Sequence, residues 1–151
     1  MFEKILYPTD FSDVSKKALA YIMGMRKIGV NEVVVLRVID QKRTEFKTLN
    51  VSWPGKDVID LFDEVNRTLE EDALNELKPI KSKLSAAGFQ VKLRVERGAP
   101  KFKILQVEEE ENVSAIVLGS HGRSNIKEML LGSVSEHVIR HCKKPVIVIK
   151  R

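Results

Sequence analysis

Apolar runs and helical stripes alternate along this chain from one end to the other. Phe2 to Tyr7 predicts a first strand. Ser12 can cap a helix whose apolar residues Val14, Ala18, Tyr21, Ile22 and Met25 recur at i, i+4, i+7, i+8 and i+11. Glu32 to Ile39 predicts a second strand around the run Val33 to Leu36. A long helix follows over Val58 to Ala87, its stripe made of Val58, Leu61, Phe62, Val65, Leu69, Leu77, Ile80 and Leu84. Pro79 is expected to kink that helix and Gly88 to end it. Phe89 to Val95 predicts a third strand, and Pro100 suits the first turn of a helix running to about Glu111. Ser114 to Leu118 predicts a fourth strand. The capping-box spacing of Ser133 and Glu136 predicts the start of the last helix, and Pro145 to Lys150 reads as a final strand.

Strands alternating with helices predict an α/β fold with a parallel sheet. The strand runs are apolar without interruption, as expected when helices cover both sheet faces. In open sheets of this kind ligands bind beyond the carboxyl ends of the strands. The stretch from Gln41 to Lys56 is the long irregular segment, with Trp53 followed by Pro54 and Gly55. It reads either as a surface loop or as a lid or partner contact beside the site.

The chain has 151 residues, 43% of them hydrophobic and 31% charged, which suits one globular domain with a real core. No apolar run approaches the roughly 20 residues of a membrane span. The N-terminus enters a strand directly, without a signal-peptide pattern. Cys142 is the single cysteine, which excludes an internal disulfide and suits a reducing cytoplasm. The net charge of +5 comes from basic residues interleaved with acids, not from a basic stripe with aromatics, so nucleic acid is not the expected partner. The acidic run Glu108 to Glu111 reads as a solvated helix end, poorly placed for the helix dipole.

The candidate chemistry sits after the fourth strand. Gly119 and Gly122 flank Ser120 and His121, and Gly132-Ser133 follows Gly122 after nine intervening residues. Glycines between a strand and a helix start let backbone N–H groups approach an anion where the helix also supplies free donors. A side chain at Gly122 or Gly132 would occupy the expected phosphate path. The spacing is neither a P-loop, since no lysine follows Gly132, nor a dinucleotide fingerprint, which belongs near the first strand. Asp10, at the end of the first strand, can accept hydrogen bonds from a base or ribose, or cap the first helix. Arg123 and Lys127 lie inside the nine-residue insert, where they meet either phosphate charge or solvent. His137 and His141 stand four apart, but without HExxH or clustered acids they do not predict a protein-built metal site. No Ser–His–Asp set or Walker-type lysine argues for catalysis, and a water oriented by His121 is the most a catalytic reading offers.

The pattern G-x2-G-x9-G-S/T, filled by Gly119, Gly122, Gly132 and Ser133, resembles the nucleotide-binding signature of the universal stress protein family, ATP-binding subgroup. Ile5 to Asp10 resembles that family's first strand and Asp-bearing turn, Val35 to Asp40 the end of its second strand, and Lys144 to Ile149 its last strand. The resemblance covers essentially the whole chain. It implies a doubly wound, Rossmann-like sheet of five strands in the order 3-2-1-4-5, of the adenine-nucleotide alpha-hydrolase type. It implies ATP or another adenine nucleotide held between strands one and four, with Mg2+ or Mn2+ bound mainly through its phosphates. Nucleotide roles for Pro8, Thr9, Val38, Leu118, Gly119 and Val134 come from the resemblance, alongside Asp10, His121, Gly122, Arg123, Gly132 and Ser133. Also implied are a homodimer through Pro145 to Lys150, little or no unaided hydrolysis, and a regulatory or stress-response role with an unknown protein partner. The competing readings are a slow ATPase or nucleotide-dependent enzyme using the same pocket, and a dimeric interaction module with no physiological nucleotide.

Overall fold

A computed structural model describes residues 1–42, 57–122 and 131–151. Arg123, Lys127, Trp53 and most of the Gln41 to Lys56 segment lie outside the described residues. The elements run β1 (Lys4–Pro8), α1 (Asp13–Gly24), a short 3-10 turn (Met25–Ile28), β2 (Glu32–Asp40), α2 (Val58–Ala86), β3 (Gln90–Gly98), α3 (Pro100–Glu111), β4 (Ala115–Gly119), α4 (Ser133–His141) and β5 (Val146–Ile149). The five strands are parallel and lie in the order β3-β2-β1-β4-β5.

The two-sided burial expected from the uninterrupted strand runs is present, and side-chain alternation divides it cleanly. Ile5, Tyr7, Val33, Val35, Ala115 and Val117 pack with Ala18 and Ile22 of α1 and Leu77 and Leu84 of α2. Their neighbours Leu6, Val34, Leu36, Ile116 and Leu118 face the other way, onto Ile104 and Val107 of α3 and Val138 of α4. Both layers therefore hold the strand ends that carry the candidate site.

Several boundaries differ from the pattern-based reading, each for a local reason. β3 extends to Gly98, beyond Val95, because β2 pairs with it in register from Glu32↔Gln90 to Asp40↔Gly98. As a half-exposed edge strand it tolerates Glu96 and Arg97. Tyr21 does not join the α1 core and is 53% exposed, whereas Leu19 is buried. α2 continues through Pro79, and its C-terminal half carries the core contacts. It ends where left-handed Gly88 (φ +90°) turns the chain and lets the Phe89 N–H reach the Leu84 carbonyl at 3.1 Å. α4 does not start with a capping box. Gly132 is the N-cap, Ser133 the first helical residue, and no side chain caps the end.

The acidic run is not simply solvated, which corrects the sequence expectation. Glu108 and Glu111 are buried at 3% and 9% exposure. Glu111 Oε1 meets Lys92 Nζ at 2.7 Å and Arg94 Nη1 at 3.0 Å, while its Oε2 meets Lys4 Nζ at 3.0 Å. Arg94 also pairs with Glu96 and, at 2.7 Å, with Glu110. Glu108 accepts the Lys143 backbone N–H at 3.2 Å, and Glu109 pairs with Lys143 Nζ at 2.7 Å. These basic partners supply the compensation that the unfavourable end of the helix dipole does not. Burial alone would raise the Glu111 carboxyl, but bonds from Lys92, Lys4 and Arg94 outweigh it and hold the pKa at about 2. This network ties the starts of β1 and β3 to the end of α3, at the opposite end of the sheet from the candidate site.

Candidate functional site

The carboxyl ends of β1, β2 and β4 and the first turn of α4 surround one crevice of about 770 Å³, its open mouth included. Its lining brings together Pro8, Thr9, Asp10, Val38, Leu118, Gly119, His121, Gly122, Gly132, Ser133 and Val134, the described residues singled out from sequence. Arg123 lies outside the described residues. The lining also includes Ser15, Leu36, Arg37, Pro100, Ile104 and Ser135, which the sequence reading did not single out for the site. Leu36, Ile104 and Pro100 read as ordinary core or helix-start residues until the sheet order places them beside Val38.

The turn that carries Asp10 is fixed by side-chain bonds. Thr9 Oγ1 accepts the Phe11 N–H at 3.1 Å and the Ser15 hydroxyl at 2.6 Å. Tyr7, fully buried, donates its hydroxyl to the Ser15 carbonyl at 2.7 Å, and burial pushes its pKa up. Asp10 Oδ1 accepts the Ser12 N–H at 3.0 Å, and the Ser12 hydroxyl in turn caps α1 by accepting the Ser15 N–H at 3.3 Å. Phe11 adopts a left-handed φ of 62°, uncommon for a bulky residue, and Arg37 lies over its ring at 5.1 Å. Asp10 is thus a turn residue, not the N-cap, and its carboxylate is held at the crevice.

The glycines do three different jobs. A Cβ at Gly119 would fall 2.9 Å from Val14 Cγ1 and 3.3 Å from the Ser15 backbone nitrogen, so this glycine lets α1 approach β4. A Cβ at Gly122 would fall 2.8 Å from Asp10 Oδ2. At Gly132 the nearest atoms are the Ser120 carbonyl at 3.4 Å and His121 Cα at 3.5 Å, an ordinary contact with φ at −76°. Sequence spacing treats Gly122 and Gly132 alike, whereas in the structure a Cβ at Gly122 would crowd the Asp10 carboxylate and one at Gly132 would make only ordinary contacts.

The start of α4 carries the donors. The first bond within the helix runs from the Glu136 N–H to the Gly132 carbonyl at 2.9 Å. The N–H groups of Ser133, Val134 and Ser135 precede that bond, and no described residue accepts from them. The three residues that carry them line the crevice at the positive end of the helix. Ser120, just 1% exposed, places its hydroxyl 2.8 Å from His121 Nδ1. Among the described residues no group of three or more His, Cys, Asp or Glu side chains stands together. His137 and His141 stack on each other with ring centroids 4.2 Å apart.

A family model for the universal stress protein family matches residues 1–150. The chain belongs to that family. The universal stress protein MJ0577 of Methanocaldococcus jannaschii is 42% identical over 156 residues, covering 100% of this chain and 96% of its own length. The universal stress protein YxiE of Bacillus subtilis is 33% identical over 152 residues, covering 99% and 100%. The solved structure of MJ0577 superposes with a TM-score of 0.88 at 39% identity, covering 100% of this chain and 97% of that one. Two more distant members share the fold with TM-scores of 0.62 at 19% identity. One, covering 99% of this chain and 97% of its own, was solved in complex with cAMP. The other, from Arabidopsis thaliana and covering 98% and 91%, was solved with AMP bound. In this universal stress protein no described helix is long and apolar enough to cross a membrane.

Proposed function

We propose that this universal stress protein binds ATP, or another adenine nucleotide, in the crevice between β1 and β4 and acts as a regulatory or stress-response protein. The observation that carries the reading is the convergence of three N–H groups at the start of α4, accepted by no described residue, with the Asp10 carboxylate across one crevice. The first feature suits phosphate oxygens and the second suits a ribose or base donor. Val38, Leu36, Ile104 and Leu118 give the apolar walls that a purine ring needs. The cAMP- and AMP-bound relatives support the same ligand class.

The residues present fit such a ligand. Ser133, Val134 and Ser135 would hold the phosphates through backbone N–H groups, with the Ser133 hydroxyl and His121 beside them. Asp10 is the lone carboxylate among the described lining residues, so Mg2+ or Mn2+ would be carried chiefly by the phosphates. A cytoplasmic setting suits the single cysteine.

Asp10→Ala should weaken ATP about tenfold or more and leave tripolyphosphate nearly unchanged, because a hydrogen bond to a charged group contributes roughly 1.5–3 kcal/mol. Calorimetric titration of both ligands is the check. Equal losses would show that Asp10 acts only through structure.

The same reading extends to assembly. β5 is the last strand in the sheet order, and Val146, Ile147 and Val148 stay partly exposed along it. An apolar edge of that kind favours pairing with a second copy across a two-fold axis. Ile147→Lys or Val148→Lys should convert a dimer to monomer or unfold it, as read by light scattering. A wild-type monomer at micromolar concentration would remove this part of the reading and leave the nucleotide site untouched.

A further inference from the structure

We propose that Ser135 is the positioning residue of the phosphate cradle, clamping the first turn of α4 onto the end of β4; the inference rests on the nucleotide reading above. Ser135 is buried at 3% exposure. Its hydroxyl lies 2.7 Å from the Ser120 carbonyl and 2.9 Å from the Gly132 carbonyl, and its single proton is shared between them. The Ser120 carbonyl also accepts the Gly132 N–H at 2.7 Å. One buried carbonyl at the end of β4 therefore receives both the N-cap residue and the third residue of α4. Ser120 is itself anchored, its N–H donating to the Ile149 carbonyl of β5 at 2.8 Å. The clasp joins the two sides of the segment between Gly122 and Leu131 without relying on that segment.

The consequence is directional. The clasp orients the N–H groups of Ser133, Val134 and Ser135, and a preorganised set of donors binds an anion better than one that must be ordered on binding. Asp10 is held by the turn after β1, and Val38 and Leu36 by β2, so the base and sugar side of the crevice does not depend on the clasp. Loss of the Ser135 hydroxyl should therefore weaken phosphate recognition selectively, which a general loss of stability would not do.

The test is titration of the full chain with ATP·Mg2+ and, separately, with adenosine. Ser135→Ala should raise the ATP Kd about tenfold. The adenosine Kd should stay within about twofold, as expected for groups that share no partner. Ser135→Cys, close in shape but a weak donor, should behave like alanine, and Ser135→Thr, which keeps the hydroxyl, should restore ATP binding. Thermal melts establish that each variant is folded, and the cysteine variant carries the test if the alanine variant is not. An unchanged ATP Kd in Ser135→Ala, or equal losses for ATP and adenosine, would overturn the positioning role while leaving the nucleotide reading intact. A wild-type protein that binds neither ligand would overturn that reading and this one with it.

Discussion

Gly122→Val should abolish ATP binding while the protein stays folded. A Cβ at this position already falls 2.8 Å from Asp10 Oδ2, and valine adds two further methyl groups. The carboxylate cannot swing away freely, because its other oxygen accepts the Ser12 N–H at 3.0 Å. The substitution therefore displaces the group expected to take the ribose or base, and it narrows the path to the phosphate donors. Gly122 lies outside the helices and strands, so the core layers around Leu6 and Tyr7 have no reason to change. Calorimetry should show no measurable heat of ATP binding, and circular dichroism should match the wild type. A Kd within about threefold of the wild type, a cost near 0.7 kcal/mol, would show that the nucleotide does not pass between Gly122 and Asp10.

Glu111→Ala should give the largest loss of stability at a site remote from the crevice. Removal of this buried carboxylate leaves Lys4, Lys92 and Arg94 facing one another without their shared counter-charge. Breaking a buried ionic network by deleting one partner costs roughly 3–5 kcal/mol. The lower end applies here, since the Lys92 side chain is 53% exposed and can turn to water. Urea denaturation at pH 7 measures the loss. The pH dependence follows from the carboxyl's shift from its ordinary 4.5 to about 2 in the folded protein. A depressed folded-state pKa contributes stability that is complete above pH 4.5 and is lost as the pH falls toward 2. The stability gap between wild type and Glu111→Ala should therefore narrow over that interval. A gap that stays constant would mean that Glu111 acts through packing instead of charge.

Much of this was legible in the sequence, and what was not has physical causes. Uninterrupted runs such as Val33 to Leu36 announced strands buried on both faces, and the strand order followed from the family resemblance, not from periodicity. The glycine spacing and the Asp10 turn marked the same crevice because glycine and aspartate at strand ends carry strong local meaning. Single serines carry almost none. Ser120 and Ser135 look like any loop or helix serine until folding brings the hydroxyl of one to the carbonyl of the other. The run Glu108 to Glu111 looked solvated because its partners Lys4, Lys92 and Arg94 lie on strands distant in sequence. Ser133 fitted a capping box by spacing, but the Ser120 carbonyl captures Gly132 and Ser135 and shifts the cap by one residue.

The most direct test of the central claim is an NMR titration of the 15N-labelled protein with ATP·Mg2+, read at assigned backbone amides. The account predicts saturable shifts of the Ser133, Val134 and Ser135 N–H resonances, together with Asp10 and Val38, while Glu111 and Lys92 at the far end of the sheet stay still. Shifts confined to other surfaces, or none at millimolar ATP, would contradict it.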